Sequence, residues 1–426
     1  MQIMNNRNKN LYLFTYAYPF GEAESFLENE IPFLSQSFSK VYVVPSEEGG
    51  TLRRMPSNFE LLSFKKTREL PLRKLLIQSG LFALKIWLMS VLKSKNTRER
   101  KFYLKNKKVR LLDLLLEVHN AKKIVNYLQV HGLKKADVLY TYWMRDNAVL
   151  LSWAKQRHWI RNRLITRIHG FDFRFEQHPK GFFPYRNMEL KGYDKIAAVS
   201  DYAHAYMRKK YRLSNNKITT YRLGVSGIDT FASAPIVVKK EYNFVSCSYL
   251  IPRKRVDWVF KALTDFALKN EHIIIHWYHI GEGQCFNDLQ AMVAKRSLKN
   301  LHINLLGNYK NQDIKNFYQT HSFDAFFHCA DGEGGCAVAI QEAFSAGIPM
   351  MGVANGGVVE MVNENNSISV QGCVTDDYTI LTPLLDKFIN LNFAQKNTLK
   401  HHAFKTWETR FNADNNFLNF IQHELQ

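Results

Sequence analysis

Acidic residues are scarce in this sequence of 426 residues: 38 Asp+Glu stand against 58 Lys+Arg, a formal net charge of +20. That balance excludes an acidic, solvating chain. With 46% hydrophobic and 23% charged residues the composition is globular. Cysteine is scarce too. The five present (Cys247, Cys285, Cys329, Cys336, Cys373) form no C-x-x-C pair and are odd in number, which argues against a disulfide framework and fits a reducing compartment. No His/Cys group has zinc-ligand spacing, so neither a metal nor a cofactor is expected. Short repeats and low-complexity linkers are lacking, which excludes a solenoid. The first residues lack an apolar stretch followed by a cleavage site, so no secretory leader is expected. Long apolar runs are lacking but for one, residues 75–92. It falls just short of the about 20 residues a membrane span needs. Lys85 interrupts it and basic residues flank it, which favours an interfacial or packed helix over a span.

The charge that is present is unevenly placed. Residues 1–225 hold 41 Lys+Arg and 18 Asp+Glu, and residues 226–426 hold 17 and 20. Residues 53–110 alone carry 17 basic and 3 acidic residues. Such a field suits an anionic partner, a membrane surface or a nucleic acid; a merely solvated face is the plainer reading. No nucleic-acid-binding motif accompanies the charge, so nucleic acid is not the expected partner.

A chain of this length exceeds one ordinary core and divides into two or three domains. "NLYLFTYAYPF" reads as a strand ending in a loop, "AESFLENEIPFLSQSF" as helical, and "KVYVVPS" as a second strand. Alternation resumes with "ADVLYTYW", "NAVLLSWAKQ", "LITRIHG", "KIAAVSDYAHAYMRKKY" and "KITTYRLGV". A second series runs from "YNFVSCSYL" to "IPMMGVANGG". Strands alternating with helices form parallel sheets with crossover helices. The expectation is two α/β halves, a break near residues 224–234 and a helical C-terminus.

Doubly wound α/β domains bind ligands at the carboxyl ends of their strands, so strand exits hold the candidates. Gly21, after the first strand, lets a phosphate approach backbone N–H groups at a helix N-terminus, or is an ordinary turn glycine. His169, after "LITRI", suits acid–base work or hydroxyl binding, or is a structural histidine. Arg253, Lys254 and Arg255 follow "NFVSC" and suit a diphosphate, whose charge they would neutralise. The turn His279–Gly283 is structural or a wall against a base. Residues 331–362 place Glu333, Glu342 and Glu360 among small apolar residues. Glu342, read as the start of the helix "EAFSAG", is placed to accept hydrogen bonds from ribose hydroxyls. Glu333, on a glycine-rich loop, is read as free to face a ligand. Gly356 and Gly357 open the next loop-to-helix turn, with Glu360 in the first turn of that helix complementing its dipole.

Together these segments resemble the glycosyltransferases of group 1 (family 4), which have the two-Rossmann-domain GT-B fold. "EGGCAVAIQEAFSAGIPMMGVANGGVVE" is similar to the family's "S-x-x-E-G-x-P-x-x-x-x-E-A-x-x-x-G-x-P-V-I-A-x-x-x-G-G-x-x-E", and "LIPRKRVD" to its "L-x-x-x-K-G-x-D". "YPFGEAESF" is similar to its "G-G-x-E" loop, "HGFD" to its central histidine segment, and "HIGEG" and "LLGN" to "I-G-x-G" and "F-L-G". Order and spacing hold from about residue 11 to 420, a basic insertion near 60–125 aside. There are departures. The family's glutamate spacing, counted back from Glu342, falls on Gly334, one residue after Glu333. The following proline is absent, Tyr249 stands where an arginine is common, and Gly21-Glu22 replaces Gly-Gly.

The resemblance implies a GT-B architecture. Residues 1–225 would form an acceptor-side Rossmann-like domain with the insertion at about 53–125, and residues 226–405 a nucleotide-sugar-binding domain facing it across a cleft. Residues 406–426 would be a helix returning to the N-terminal domain. It implies a retaining, metal-independent glycosyltransferase of hexosyltransferase type. The nucleotide-sugar donor is a substrate, and the acceptor is a glycan or lipid-linked sugar in bacterial cell-surface polysaccharide synthesis. Catalytic roles fall to His169, Glu333 and Lys254: His169 on the acceptor side, Glu333 on the sugar hydroxyls, Lys254 on the diphosphate. Arg253 or Arg255, the Gly21 backbone, Glu342, Gly356 and Gly357 complete the donor site. The cleft closes about the break near Gly224. A cytoplasmic place on the inner face of the cell membrane, held by anionic lipid, is the expectation. The rivals are a nucleotide-sugar epimerase of the same fold, which would give product without acceptor, and a non-catalytic binding protein whose altered loop no longer turns over.

Overall fold

The β/α alternation builds two parallel sheets. In a computed structural model, residues 9–22, 24–94, 97–227, 240–372 and 376–426 are described. Residues 228–239, which include part of the expected break, and Cys373 lie outside them. The chain divides into two units. The first runs to Val199 and adds Ala203–Tyr221 and Leu418–Gln426; the second comprises Ser200–Tyr202 and Arg222–Phe417.

The first unit holds strands β1 (Asn10–Thr15), β2 (Lys40–Pro45), β3 (Phe59–Leu61), β4 (Val138–Thr141), β5 (Arg163–Ile168), β6 (Lys195–Ala198) and β7 (Ile218–Thr220). They form one sheet in the order β3-β2-β1-β4-β5-β6-β7, every pair parallel. β1 and β4 are buried almost throughout, as in sheets covered on both faces. Wholly buried Arg167 on β5 donates to the Tyr140 hydroxyl at 2.6 Å and pairs with Glu30 at 3.2 Å. The basic segment contributes β3 and the helices Leu72–Lys93, where a packed or interfacial helix is expected, Thr97–Leu104 and Lys107–Val130. Leu72–Lys93 is long and apolar enough to cross a membrane. One face of it, Leu75, Ser79, Ala83, Ile86 and Ser90, is buried, and the helix packs on Lys107–Val130. The opposite face, Ile77, Leu81, Leu84, Leu88 and Leu92, is exposed.

The second unit holds β8 (Glu241–Cys247), β9 (Ile274–Ile280), β10 (Leu301–Leu305), β11 (Ala325–His328), β12 (Met350–Ala354) and β13 (Ser367–Gln371), in the order β10-β9-β8-β11-β12-β13, all parallel. Successive side chains alternate between two cores. Phe244, Phe327 and Met351 enter one; Val245, Phe326 and Met350 enter the other. Gly224 is closely packed. A Cβ there would stand 2.6 Å from Ala413 Cα, and the flanking Val225 N–H donates to Phe411 O at 2.9 Å. The glycine is required by this close approach.

Candidate functional site

In the second unit the strand order reverses between β8 and β11. The crevice outside the carboxyl ends at such a reversal is where open α/β sheets bind ligands. The two exit loops supply its charge. After β8 comes a 3-10 turn, Pro252–Lys254, and then helix Val256–Lys269. After β11 a glycine-rich loop leads to helix Val338–Ser345.

Lys254 Nζ donates to Glu333 Oε1, and Arg253 Nη1 lies 3.7 Å from Glu333 Oε2. Arg253 also donates to Gly332 O at 2.5 Å. Glu333 is therefore engaged rather than free. Burial pushes its carboxyl up, but Lys254, His328 and Arg253 outweigh burial and bring it down to about 2. Gly356 and Gly357 fix this loop from β12. A Cβ on Gly356 would stand 2.1 Å from Glu333 O, and one on Gly357 2.4 Å from Gly335 O. Gly357 N–H donates to Glu333 O at 2.8 Å, so that donor shapes the loop.

Glu342 lies in the second turn of its helix, not at the start, because the helix already begins at Val338. Burial alone acts on its carboxyl and pushes it up to about 8. Its charge is felt by Cys247, the last residue of β8, and by Tyr318, whose hydroxyl is buried and unpaired. Glu342 is half-buried, and no hydrogen bond to its side chain is found among the described residues. His328, which ends β11, was not singled out in the sequence. Its Nε2 is buried without a partner; burial, with Lys254 and Arg253, lowers it to about 4 against the pull of Glu333. A histidine closing an apolar strand at its exit is the signal that marked His169, and it applied here.

Other candidates point elsewhere. Arg255 pairs with Asp376 at 2.6 Å and lies 4.3 Å over the Trp258 ring, away from the Glu333 loop. His279 is fully buried and hydrogen-bonded to Ser246 at 2.8 Å, a structural role. No helix follows Gly357; the chain turns through Met361. Glu360 instead accepts from Asp201 N–H at 2.9 Å, Cys336 Sγ at 3.2 Å and Arg222 Nη2 at 3.2 Å.

In the first unit the order reverses between β1 and β4. There Glu24 accepts from the N–H groups of Tyr16 (3.0 Å), Ala17 (2.7 Å) and Tyr18 (2.7 Å) and from Trp143 Nε1 (2.6 Å). Gly21 N–H donates to Thr51 O at 2.9 Å, and a 3-10 turn, Ser25–Asn29, follows in place of a helix. The N–H expected to meet a phosphate is thus taken. His169 follows β5. Its backbone N–H donates to Asp172 at 2.8 Å, and its ring packs against Trp143 (4.4 Å), Tyr142 (4.9 Å) and Phe26 (5.4 Å). Burial, with the Arg167 charge, lowers the imidazole to about 3, and its Nε2 is buried without a partner. The ring is neutral near pH 7 and offers one nitrogen. Gly21 and His169 thus lie in the first unit, and the remaining candidates in the second.

Known proteins are similar to this chain in sequence and in fold. Residues 229–399 match the sequence profile of the family described as glycosyl transferases group 1. The GtfA subunit of a UDP-N-acetylglucosamine–peptide N-acetylglucosaminyltransferase from Streptococcus agalactiae is 23% identical over 198 residues, 46% of this chain and 37% of that protein. The match thus spans little more than a third of that relative's length. A glycosyltransferase of Rickettsia africae has a similar structure, with a TM-score of 0.64, 17% identity and coverage of 97% and 96% of the two chains. The E. coli structure described with bound UDP-2-fluoro glucose gives 0.62 and 12%, covering 98% and 99%. Two Rossmann-like units of parallel sheet, each with its own strand-order reversal, are the GT-B architecture, and residues 229–399 of this chain match the glycosyl transferases group 1 family.

Proposed function

We propose that the protein is a retaining, metal-independent glycosyltransferase of hexosyltransferase type. It moves a sugar from a nucleoside diphosphate sugar to a glycan or lipid-linked acceptor in cell-surface polysaccharide synthesis. The observation that carries this reading is the pairing of Lys254 and Arg253 with Glu333 beside the unpartnered Glu342, at the reversal between β8 and β11. A departing diphosphate gains negative charge as the sugar leaves. Ammonium and guanidinium groups already in place stabilise that charge without reorganisation. When the diphosphate draws Lys254 toward itself, Glu333 is released to accept from sugar hydroxyls. Glu342 accepts from the ribose diol. His169, neutral, hydrogen-bonds the transferred sugar on the acceptor side. The relative named for its UDP-N-acetylglucosamine donor, and a trehalose-6-phosphate synthase of similar fold studied for transfer with retention, support the donor class and the stereochemistry.

The site of work is the inner face of the cell membrane. The bare face of helix Leu72–Lys93, with Arg73, Lys74 and Lys85 on the same helix, supports contact with an anionic bilayer.

Thermal denaturation with a panel of nucleoside diphosphates and their sugars tests the donor reading. One base is expected to stabilise the protein, by about 2.7 kcal/mol at a hundredfold excess over Kd. Glu333→Ala should retain the response to the diphosphate and lose the extra response to its sugar. No response to any nucleotide would overturn the proposal. Product formed without acceptor would replace it with an epimerase.

A further inference from the structure

The first unit holds a second concavity, of about 860 Å³. It lies away from the carboxyl ends of the strands. Helix Asp201–Tyr211 connects the parallel strands β6 and β7, so it runs back along the sheet and its last turn lies toward the strands' amino ends. That last turn helps line the pocket. Phe175, Phe182 and Tyr206 provide rings, and Lys93, Lys209, Lys210 and Arg212 provide four positive charges. Lys210 Nζ lies 4.1 Å from the Phe175 ring centre. None of these four cations forms an ion pair among the described residues. Arg186, also at the wall, is taken by Glu189 at 3.3 Å. The pocket's carboxylate, Glu99, accepts from the Tyr103 hydroxyl at 2.9 Å.

Two further observations point to what fills it. Lys191 lies close to Lys93 and Lys85; burial and these two charges lower the Lys191 ammonium. Like charges gathered with no carboxylate paired to them attract an anion. Leu92 belongs both to the pocket and to the exposed apolar stripe Ile77, Leu81, Leu84, Leu88 and Leu92, so the stripe leads directly into the basic pocket.

We propose that this pocket takes the phosphate headgroup of an anionic membrane lipid while the leucine stripe lies among the acyl chains. The inference rests on the membrane contact proposed above and assigns it a specific headgroup site. The continuity through Leu92 favours a lipid over a soluble phosphate ester, which would have no use for the stripe.

Flotation of the full chain with phosphatidylcholine vesicles, with and without phosphatidic acid, tests it. The wild type should favour the phosphatidic acid vesicles. Lys209→Glu with Lys210→Glu should reduce that preference at least about tenfold and leave a salt-resistant residue of binding. Leu81→Glu with Leu88→Glu should remove the salt-resistant part. Lys107→Glu with Lys108→Glu makes the same charge change at exposed sites outside the pocket. An equal loss in that variant would show diffuse charge and overturn the headgroup site. Displacement of the wild type by glycerol 3-phosphate would overturn the lipid source. Wild type that floats with neither vesicle would overturn the membrane contact as well. Far-UV circular dichroism melts establish that each variant is folded.

Discussion

Each sheet carries a carboxylate where its strand order reverses, and the two are held by different kinds of donor. Glu24 accepts from three backbone N–H groups and an indole. Glu333 accepts from an ammonium, with a guanidinium alongside. Backbone donors are fixed by the course of the loop and have nowhere else to point. Lysine and arginine side chains rotate, and a diphosphate competes for them with charge of its own. The same position in two similar sheets thus yields a brace in one and, on the function proposed, a latch in the other. Placement at the strand reversal nominates a residue; its donors decide what it does.

The largest expected effect breaks the latch. Lys254→Ala should lower kcat by about 10²-fold or more. It also leaves Glu333 largely buried without its nearest counter-charge, which costs stability. Lys254→Ala combined with Glu333→Ala should restore the melting temperature but not turnover. Steady-state kinetics with calorimetry separates the two, and unchanged turnover in Lys254→Ala would remove the latch from the mechanism.

Removing the brace should act on stability alone. Glu24→Ala strands backbone donors in a buried loop, at about 1–3 kcal/mol, with nucleotide affinity intact. A variant that melts normally and binds nucleotide poorly would make Glu24 part of the ligand site and erase the distinction.

A smaller effect contrasts the two carboxyl groups beside β8. Burial raises Glu342 from 4.5 to about 8, so the folded protein keeps a proton that the unfolded chain loses. Its contribution is full below about pH 4.5 and is lost as pH rises through about 8. Glu342→Gln should therefore gain stability over the wild type across that window. It should also weaken a nucleoside diphosphate more than inorganic pyrophosphate, which calorimetric titration reads. Glu333 has the opposite sign. Depressed to about 2, it stabilises above about pH 4.5 and loses that contribution as pH falls through about 2. A Glu342→Gln melting difference independent of pH would contradict the burial of its carboxyl.

The smallest expected effect is a missing one. Burial and Arg167 hold His169 near 3, so the pH profile of turnover should show no limb from this imidazole near its usual 6.5. His169→Gln should lower transfer and leave nucleotide affinity unchanged. A limb near 6.5 that disappears in His169→Gln would show a ring that charges during the cycle.

Much of the site was legible because it sits at strand exits, and exits can be read from where apolar runs stop. Lys254, Arg253 and Glu333 were found that way. The displacement of Glu333 by one residue from the familial spacing does not keep it from Lys254, because the glycines around it and at 356–357 let the loop shift. Where the structure places residues differently from the expectation, backbone turns are the cause. Arg255 adopts φ 51 at the start of its helix and is carried toward Asp376. Glu360 was given a helix dipole and has instead a set of side-chain and backbone donors.

The sequence by itself determined the α/β class and both parallel sheets, because strand and helix periodicities are local and repeat within a few residues of themselves. It also determined which exits carry charge. Only the tertiary structure decided which charges meet. Lys254 and Glu333 are 79 residues apart and touch because β11 lands beside β8 after β9 and β10 have been laid on its other side. It likewise decided which face of helix Leu72–Lys93 is covered, since a helix apolar nearly all round has no preferred buried side until Lys107–Val130 packs against one of them.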